Sequence, residues 1–356
     1  MDFNLTEDRQ MLADTLNRFL GEQYPVEHRI KVAYDAPYHD PAKWDQLVEL
    51  GALYALASEE AGGMGGTGFD ISVVFEALGK TLTPEPFLGA LMASRLLAAA
   101  GGDQDALLTG ATKYAVGITE IDAPYELDQI ATQATAKGDG FTLSGRKSTV
   151  YGGQIADVIL IAAKHDDGLG VFAVNAADAN VTGYGLMDGG GAAEILMDDA
   201  PATLVLADAE AALNDAVNAG IVALCAEAVG AMEVTHATTV EYFKQRKQFG
   251  VPIGKFQVLQ HRAVDMLTEI EQARSIVIKA AAELGGDDAS KYASMAKNLI
   301  GRAARLIAEE SIQMHGGIAM TWEYSVSHYA KRLIMLDAQL GDTDYHLSQV
   351  MKGYAA

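Results

Sequence analysis

Three long, alanine-rich helical patterns are the feature that most constrains how this chain can fold. They cover Ala209–Gln245, Phe256–Leu284 and Ala289–His315, and each exceeds the usual length of a helix in a globular protein. Helices of this length and composition normally pack against one another. The sequence therefore predicts a helical bundle over residues 208–356.

Residues 1–111 predict shorter helices. Thr6 is suited to cap the first of them, and Asp40 followed by Pro41 is typical of a helix that begins at the proline. The glycine cluster within 62–68 separates two further helical patterns and must form a loop. This segment predicts an N-terminal all-α domain.

The segment 112–207 changes to short runs of β-forming residues, separated by Gly, Asp and Asn turns. The runs are Tyr114–Thr119, Phe141–Leu143, Val158–Ala162, Val171–Val174 and Thr203–Leu206. Because no helical pattern lies between them, they predict an antiparallel barrel or sandwich. The chain is thus expected to be an α+β protein with domains at 1–111, 112–207 and 208–356.

The composition excludes one class of ligand and indicates a compartment. The chain has 356 residues, with 26 Lys and Arg against 48 Asp and Glu, so its formal net charge is −22. Nucleic acid is not expected as a ligand, because binding it requires a dominant basic field. The single cysteine, Cys225, cannot form an internal disulfide, which favours a reducing compartment.

No targeting or membrane segment is expected. Met1–Asn4 does not begin a signal peptide, because no basic segment and apolar run follow it. The longest apolar stretches, such as Val158–Ala163 and Gly220–Ala226, are too short to cross a bilayer. We therefore expect a cytoplasmic protein.

Residues 246–261 are the most informative segment of the sequence, and they read Arg-Lys-Gln-Phe-Gly-Val-Pro-Ile-Gly-Lys-Phe-Gln-Val-Leu-Gln-His. Between positions 241 and 262, 5 Lys and Arg accompany 1 Glu in an otherwise acidic chain. A basic turn between two helices can bind a diphosphate through guanidinium and backbone N–H groups. The same pattern is also consistent with cations at a helix C-terminus and Gly250 as a C-cap.

A second segment, 313–320, reads Gln-Met-His-Gly-Gly-Ile-Ala-Met at the end of another long helix. Its two glycines can end the helix, or they can let the backbone approach a ligand closely.

Together the two segments resemble motifs of the acyl-CoA dehydrogenase family of flavoproteins. Residues 246–250 look like the family's R-x-x-F-G turn, and residues 313–317 look like its Q-x-x-G-G motif. The resemblance extends over essentially the whole chain. It implies an N-terminal helical domain, a middle β-domain and a C-terminal four-helix bundle. It also implies FAD as the cofactor and the α,β-dehydrogenation of an acyl-CoA thioester, in fatty acid or steroid side-chain β-oxidation.

The resemblance assigns cofactor-binding residues one by one. In the family both motifs bind the ADP part of an FAD whose flavin lies in the neighbouring subunit. Arg246 would then contact the diphosphate. The other implied cofactor-binding residues are Gln248, Phe249, Gln257, Gln313, Gly316, Gly317 and, from the middle domain, Thr119.

The two strands that hold the flavin ring in the family are altered here. Of the family's T-E-P-x-x-G-S-D motif, only Thr119 and Glu120 remain. In the second strand, Thr149 replaces the tryptophan that stacks on the flavin, and Tyr151 replaces a threonine that bonds to it. An ordinary barrel wall is an equally open interpretation of both strands.

The catalytic base is the decisive residue, because the reaction removes a proton α to the thioester and needs a carboxylate within reach. By resemblance, the usual glutamate position falls at Leu340, and the position that a minority of members use falls at Gly220. Neither residue can accept a proton. Glu227 and Asp342 remain as weak candidates, although Glu227 could simply pair with a basic neighbour and Asp342 could cap the next helix.

The chain thus resembles the smaller, non-catalytic subunit of an α2β2 acyl-CoA dehydrogenase, in which a longer partner carries the base and the acyl pocket. Acyl-CoA, that longer subunit and electron-transfer flavoprotein are the implied partners, and no metal-ligand pattern is present. Two alternatives stay open. One is a complete homo-oligomeric enzyme that uses Glu227 or Asp342, and the other is a structural homologue without flavin.

Overall fold

The computed structural model describes residues 5–355, and its N-terminal part is helical. The helices are α1 (Glu7–Gln23), α2 (Val26–Tyr34), α3 (Pro41–Glu49), α4 (Gly68–Thr81), α5 (Phe87–Ala99) and α6 (Asp105–Leu108). The Thr6 side chain accepts a hydrogen bond from the backbone of Arg9, and Asp40 accepts from the backbone of Ala42 and Lys43. The two predicted N-caps are therefore confirmed.

The middle segment forms a closed barrel. Its strands are β1 (Tyr114–Gly117), β2 (Gln133–Lys137), β3 (Gly140–Tyr151), β4 (Val158–His165), β5 (Gly168–Asn175), β6 (Asn180–Gly185) and β7 (Gly191–Leu206). The pairings β4–β2, β2–β3, β3–β7, β7–β5 and β5–β4 close a ring, while β1 joins at β4 and β6 joins at β7. The predicted barrel is confirmed, but its expected antiparallel order is only partly correct, since β1 and β2 both run parallel to β4.

The barrel interior explains which strands the sequence indicated. Apolar side chains of β3, β4, β5 and β7 fill it, among them Leu143, Ile159, Ile161, Phe172 and Ile195. Strands β2 and β6 were missed because most of their residues are exposed, so neither carries an apolar run.

One ion pair is buried inside the barrel domain. The Lys147 ammonium lies 2.6 Å from Oε1 of Glu120, which also accepts a hydrogen bond from the Thr132 hydroxyl, and Oε2 of Glu120 accepts one from the backbone N–H of Ala131. Burial lowers the pKa of Lys147 to about 8, against the opposing effect of Glu120. Glu120, half of the surviving Thr119–Glu120 pair, thus has a structural role.

The C-terminal part is helical again. Its elements are α7 (Glu210–Gln245), β8 (Lys247–Gln248), β9 (Val251–Pro252), α8 (Gln257–Glu283), α9 (Ala289–His315), α10 (Ser325–Met335) and α11 (Thr343–Ala355). The three long helices begin and end within one residue of the predicted limits. Helix α7 is long and apolar enough to span a membrane, yet 83% of its most apolar window is buried inside the protein, as is typical of a core helix.

The chain divides into two compact units. Within the described residues, the first holds 5–29, 71–83 and 221–355, and the second holds 30–70 and 84–220. In the first unit α4 lies very close to α7, because a Cβ at Gly79 would fall 2.0 Å from the Glu227 carbonyl oxygen.

Candidate functional site

The predicted basic turn is a tight β-hairpin at the end of α7. Lys247 pairs with Pro252 and Gln248 with Val251, which leaves Phe249 and Gly250 as the two turn residues. Both have positive φ, 52° and 79°, as a type I′ turn requires. Phe249 is thus a bulky residue in a strained conformation, and 91% of its side chain is exposed. Strain and exposure of this kind at one aromatic residue favour a functional role.

The end of α9 packs against the last turns of α7, just before this hairpin. The Tyr242 hydroxyl, on the last turns of α7, donates a hydrogen bond to the His315 carbonyl oxygen at 3.3 Å, and the two rings are 4.5 Å apart. His315 is buried, and burial lowers the pKa of its imidazole, so the ring packs against Tyr242 as a neutral group. His315, within the 313–317 motif, therefore contacts α7 four residues before Arg246.

Polar side chains in this region are free to meet a ligand. Arg246, Gln248, Gln257 and Gln313 are all exposed, and within residues 5–355 none of their side chains has a hydrogen-bond partner. A guanidinium and carboxamides offer donors suited to diphosphate and ribose oxygens. This region, comprising 246–257 and 313–317, is called the hairpin site below.

The two glycines at the end of α9 differ in whether their backbone conformation favours glycine. Gly316 has a φ of 68°, a left-handed conformation that favours glycine. Gly317 has neither a positive φ nor any heavy atom of the described chain within 4 Å of an added Cβ. The described chain therefore leaves open space beside the backbone of Gly317, as it does beside Gly21 and Gly353.

Thr119 lies in the second unit, at the end of β1. It is half-buried, and its carbonyl oxygen accepts a hydrogen bond from the Ser148 backbone at 2.9 Å. The strand β3 that supplies Ser148 also carries Thr149, at a bulge where the register with β7 shifts. Thr149 has a φ of 51°, and Tyr151 lies at the end of the same strand.

The loop before α11 contains the usual position of the base and is firmly anchored. Leu340 is half-buried with a φ of 56°, and its carbonyl oxygen accepts from His346 at 2.9 Å. The buried Lys297 ammonium donates to the carbonyl oxygens of Asp337 and Gly341, each at 2.7 Å. These contacts hold an apolar side chain at this position.

Sequence analysis missed Lys297 and His346. Lys297 occurs among buried alanines on α9, and a lysine on an otherwise apolar helical face is the signal that could have indicated it. Burial lowers the pKa of Lys297, and it lowers the pKa of His346 to about 4.

The two candidate acids are both engaged. Both Glu227 oxygens accept hydrogen bonds from the Arg332 guanidinium, at 2.6 and 2.8 Å, and the Glu227 side chain is only 9% exposed. Asp342 accepts from the Tyr345 backbone at 2.7 Å and so caps α11. The structural interpretations of these acids thus have direct support from their contacts.

Three family profiles match this chain in the order of its segments. The acyl-CoA dehydrogenase N-terminal domain matches residues 6–104, the middle domain matches 115–195, and the C-terminal domain matches 211–355. The chain belongs to the acyl-CoA dehydrogenase family.

Particular relatives agree with this assignment. The chain is 32% identical over 331 residues to acyl-CoA dehydrogenase IpdE2 of Mycobacterium tuberculosis (strain ATCC 25618 / H37Rv), across 92% of this chain and 91% of that protein. A solved variant of the Tcur3481-Tcur3483 steroid ACAD has a TM-score of 0.89 and 27% identity, over 98% of this chain and 99% of that one. The ChsE4-ChsE5 complex from Mycobacterium tuberculosis, at 24% identity and a TM-score of 0.90, covers 100% of this chain and 99% of its own, and shares the fold.

FAD is the cofactor of this family, and solved structures of the same fold hold FAD or FADH2. The hairpin site fits the nucleotide end of such a molecule, because it combines a free guanidinium, free carboxamides, an exposed aromatic ring and a bare glycine backbone. At Thr149 on β3, where the resemblance places the family's tryptophan, the backbone N–H donates to the Glu194 carboxylate at 3.2 Å.

Proposed function

We propose that this chain is the smaller subunit of a heteromeric, FAD-dependent acyl-CoA dehydrogenase. It supplies the hairpin site for the nucleotide half of FAD, and a longer partner chain supplies the catalytic carboxylate and the acyl pocket. The observation that carries the proposal is the combination of Leu340 at the base position with Glu227 held by Arg332.

The engaged acids argue against a complete homo-oligomeric enzyme. A general base must have a lone pair aimed at the substrate's proton. Both oxygens of Glu227 already accept from a guanidinium, and taking up a proton would leave Arg332 buried beside a neutral group. Asp342 is committed to the N-terminus of α11, where its charge also favours the helix dipole.

The free side chains argue against a structural homologue without flavin. An exposed Phe249 in a left-handed turn costs stability, and its ring makes one edge contact, with Phe256 at 6.1 Å. The exposure of this ring is accounted for if a nucleotide and a second subunit cover this surface.

When bound, FAD accepts the hydride that leaves the β carbon of the acyl group. The role of this chain is then to hold the cofactor. Arg246 binds the diphosphate as a guanidinium fork, Gln248, Gln257 and Gln313 donate to the nucleotide, and the 316–317 backbone lies against it. Thr119 would contribute to cofactor binding only through its position just after β1.

The substrate and the partners follow from the family. We propose an acyl-CoA thioester with a bulky acyl group such as a steroid side chain, because a relative named as a steroid ACAD matches nearly the whole chain. Electron-transfer flavoprotein is the proposed electron acceptor, and the cytoplasm is the proposed compartment.

The first experiment measures flavin retention. Arg246→Ala should weaken FAD binding about tenfold to a hundredfold, since one charge-assisted contact contributes about 1.5–3 kcal/mol. Arg246→Lys should recover only part, because a point charge replaces a fork. Arg302→Ala removes another exposed arginine, on α9, and should retain the wild-type flavin content. Equal flavin content in all four proteins would exclude the nucleotide role.

The second experiment locates the base. Co-expressed with a longer family member that bears a glutamate base, the chain should form a yellow complex that oxidises acyl-CoA. Replacing that glutamate should abolish turnover, whereas Glu227→Gln and Asp342→Asn should leave most of it in the folded complex. Robust dehydrogenation by this chain alone would favour the homo-oligomeric enzyme, and a colourless complex would favour the homologue without flavin.

A further inference from the structure

Three aromatic side chains pack together where the end of α9 meets α7. The centroids of the Tyr242 and His315 rings are 4.5 Å apart, those of His315 and Tyr324 are 5.3 Å apart, and those of the two tyrosines are 6.5 Å apart. Tyr242 lies in the last turn of α7, His315 ends α9, and Tyr324 immediately precedes α10. These three residues, called the ring cluster below, join three segments of the first unit.

Hydrogen bonds fix His315 within the ring cluster. The Tyr242 hydroxyl donates to the His315 carbonyl oxygen at 3.3 Å. The ring N–H at Nδ1 of His315 donates to the Ser311 carbonyl oxygen at 2.8 Å. The imidazole is therefore held by α9 itself, while the backbone of the same residue is held by α7.

His315 is too buried to meet a ligand directly, since the residue is only 4% exposed. Burial also lowers the pKa of its imidazole, so the ring carries no charge for a diphosphate at neutral pH. Its neighbours in the sequence are the implied cofactor-binding residues. Gln313 lies two positions before it and Gly316 follows it directly, whereas Arg246 lies four positions, about one helical turn, after Tyr242.

We propose that Tyr242 and His315 are positioning residues of the hairpin site, whose contact holds the 313–317 segment in a fixed place relative to the end of α7. This inference rests on the proposed function, in which both segments bind the nucleotide half of FAD. Two segments that bind one ligand need a fixed spacing, because a ligand seated on one segment otherwise misses the other. The resemblance assigns no role to either residue.

The size of the effect follows from the hydrogen bond that a variant would lose. Tyr242→Phe removes the bond to the His315 carbonyl oxygen and keeps the ring. One neutral hydrogen bond shifts an equilibrium between two arrangements by about threefold to tenfold. Since only the correctly placed fraction of molecules binds, the dissociation constant should rise by at most that factor. Tyr242→Leu also removes the ring contact and should raise the dissociation constant further.

Calorimetric titration of the full chain with ADP measures this effect. The matched control is Tyr329→Phe, because the Tyr329 hydroxyl donates to the Lys80 carbonyl oxygen at 2.5 Å and joins α10 to α4, outside the hairpin site. The control removes the same group from the same unit and should keep the ADP dissociation constant within about twofold of the wild-type value. Wild-type affinity in Tyr242→Phe would overturn the proposal. An equal loss of affinity in both variants would also overturn it, because a general loss of stability would then be the cause.

A second measurement needs no ligand. Hydrogen exchange of the unliganded chain, followed by mass spectrometry over peptides that cover 313–322, reports how often the end of α9 opens. Tyr242→Phe should speed exchange there about threefold or more, whereas Tyr329→Phe should not. Unchanged exchange in Tyr242→Phe would refute the positioning role. Failure of the wild-type chain to bind ADP would instead refute the nucleotide role of the hairpin site, so the two ideas fail separately.

Discussion

Removing the Glu227 carboxylate should destabilise the fold strongly, because it removes the two buried hydrogen bonds that the Arg332 guanidinium donates to it. The two side chains are 9% and 15% exposed, and both carboxylate oxygens take part in the pair. Breaking a buried pair from one side costs about 3–5 kcal/mol. Since Arg332 keeps some contact with water, we expect a loss of about 3 kcal/mol for Glu227→Ala.

The chain offers a matched control on its surface. Glu309 and Arg305 form an i,i+4 pair on α9, with side chains 63% and 74% exposed. Glu309→Ala removes the same group from a solvated pair and should cost about 0.5 kcal/mol or less. Urea unfolding at neutral pH, followed by far-UV circular dichroism, measures both variants on one scale.

The double variant separates the loss of the pair from the cost of leaving one partner behind. Glu227→Met combined with Arg332→Met replaces both partners by apolar groups and should recover most of the loss, because the buried guanidinium is then removed together with the carboxylate. A Glu227→Ala loss as small as that of Glu309→Ala would refute the reasoning, as would a double variant no more stable than Glu227→Ala.

Three further predictions concern the first unit. Gly79→Ala should lower the free energy of unfolding by about 2 kcal/mol, because its Cβ would lie 2.0 Å from the Glu227 carbonyl oxygen. Gly21→Ala on α1, where an added Cβ meets open space, should instead raise it by about 0.5 kcal/mol. Similar values for the two variants in urea unfolding would contradict the close approach of α4 to α7. Lys297→Met should lower the free energy of unfolding by about 2 kcal/mol or more, because two carbonyl oxygens lose their buried donor. Lys352→Met, at an exposed position of α11, should change it by less than about 0.5 kcal/mol. Burial lowers the pKa of His346 from its ordinary 6.5 to about 4. Between pH 6.5 and pH 4, the imidazole is therefore protonated in the unfolded chain but neutral in the folded one. The stability that neutral His346 contributes is complete above pH 6.5 and is lost as the pH falls to 4, by up to about 3 kcal/mol. His346→Gln should therefore make the free energy of unfolding, measured by urea unfolding, depend less on pH over this range.

Much of the fold could be predicted from the sequence, because its signals are local. The limits of α9 follow from an uninterrupted apolar stripe, and the caps at Thr6 and Asp40 follow from side chains that bond to backbone two or three residues away. The segment around Phe249 and Gly250 was identified as a turn because its glycines and its proline are also local signals. Strands β2 and β6 were missed because the barrel leaves them mostly exposed.

Only the tertiary structure decided which charged groups meet. Glu227 and Arg332 are 105 residues apart, and Glu194 and Arg146 are 48 apart. No periodicity in a sequence encodes such pairs, because the partner of a buried carboxylate is chosen by how helices and strands pack. The sequence by itself determined where the turn between α7 and α8 lies and that positions 220 and 340 carry no acid. Packing decided that Glu227 pairs with Arg332 and that Glu194 lies partly exposed on the barrel, since both depend on side chains brought together from distant segments.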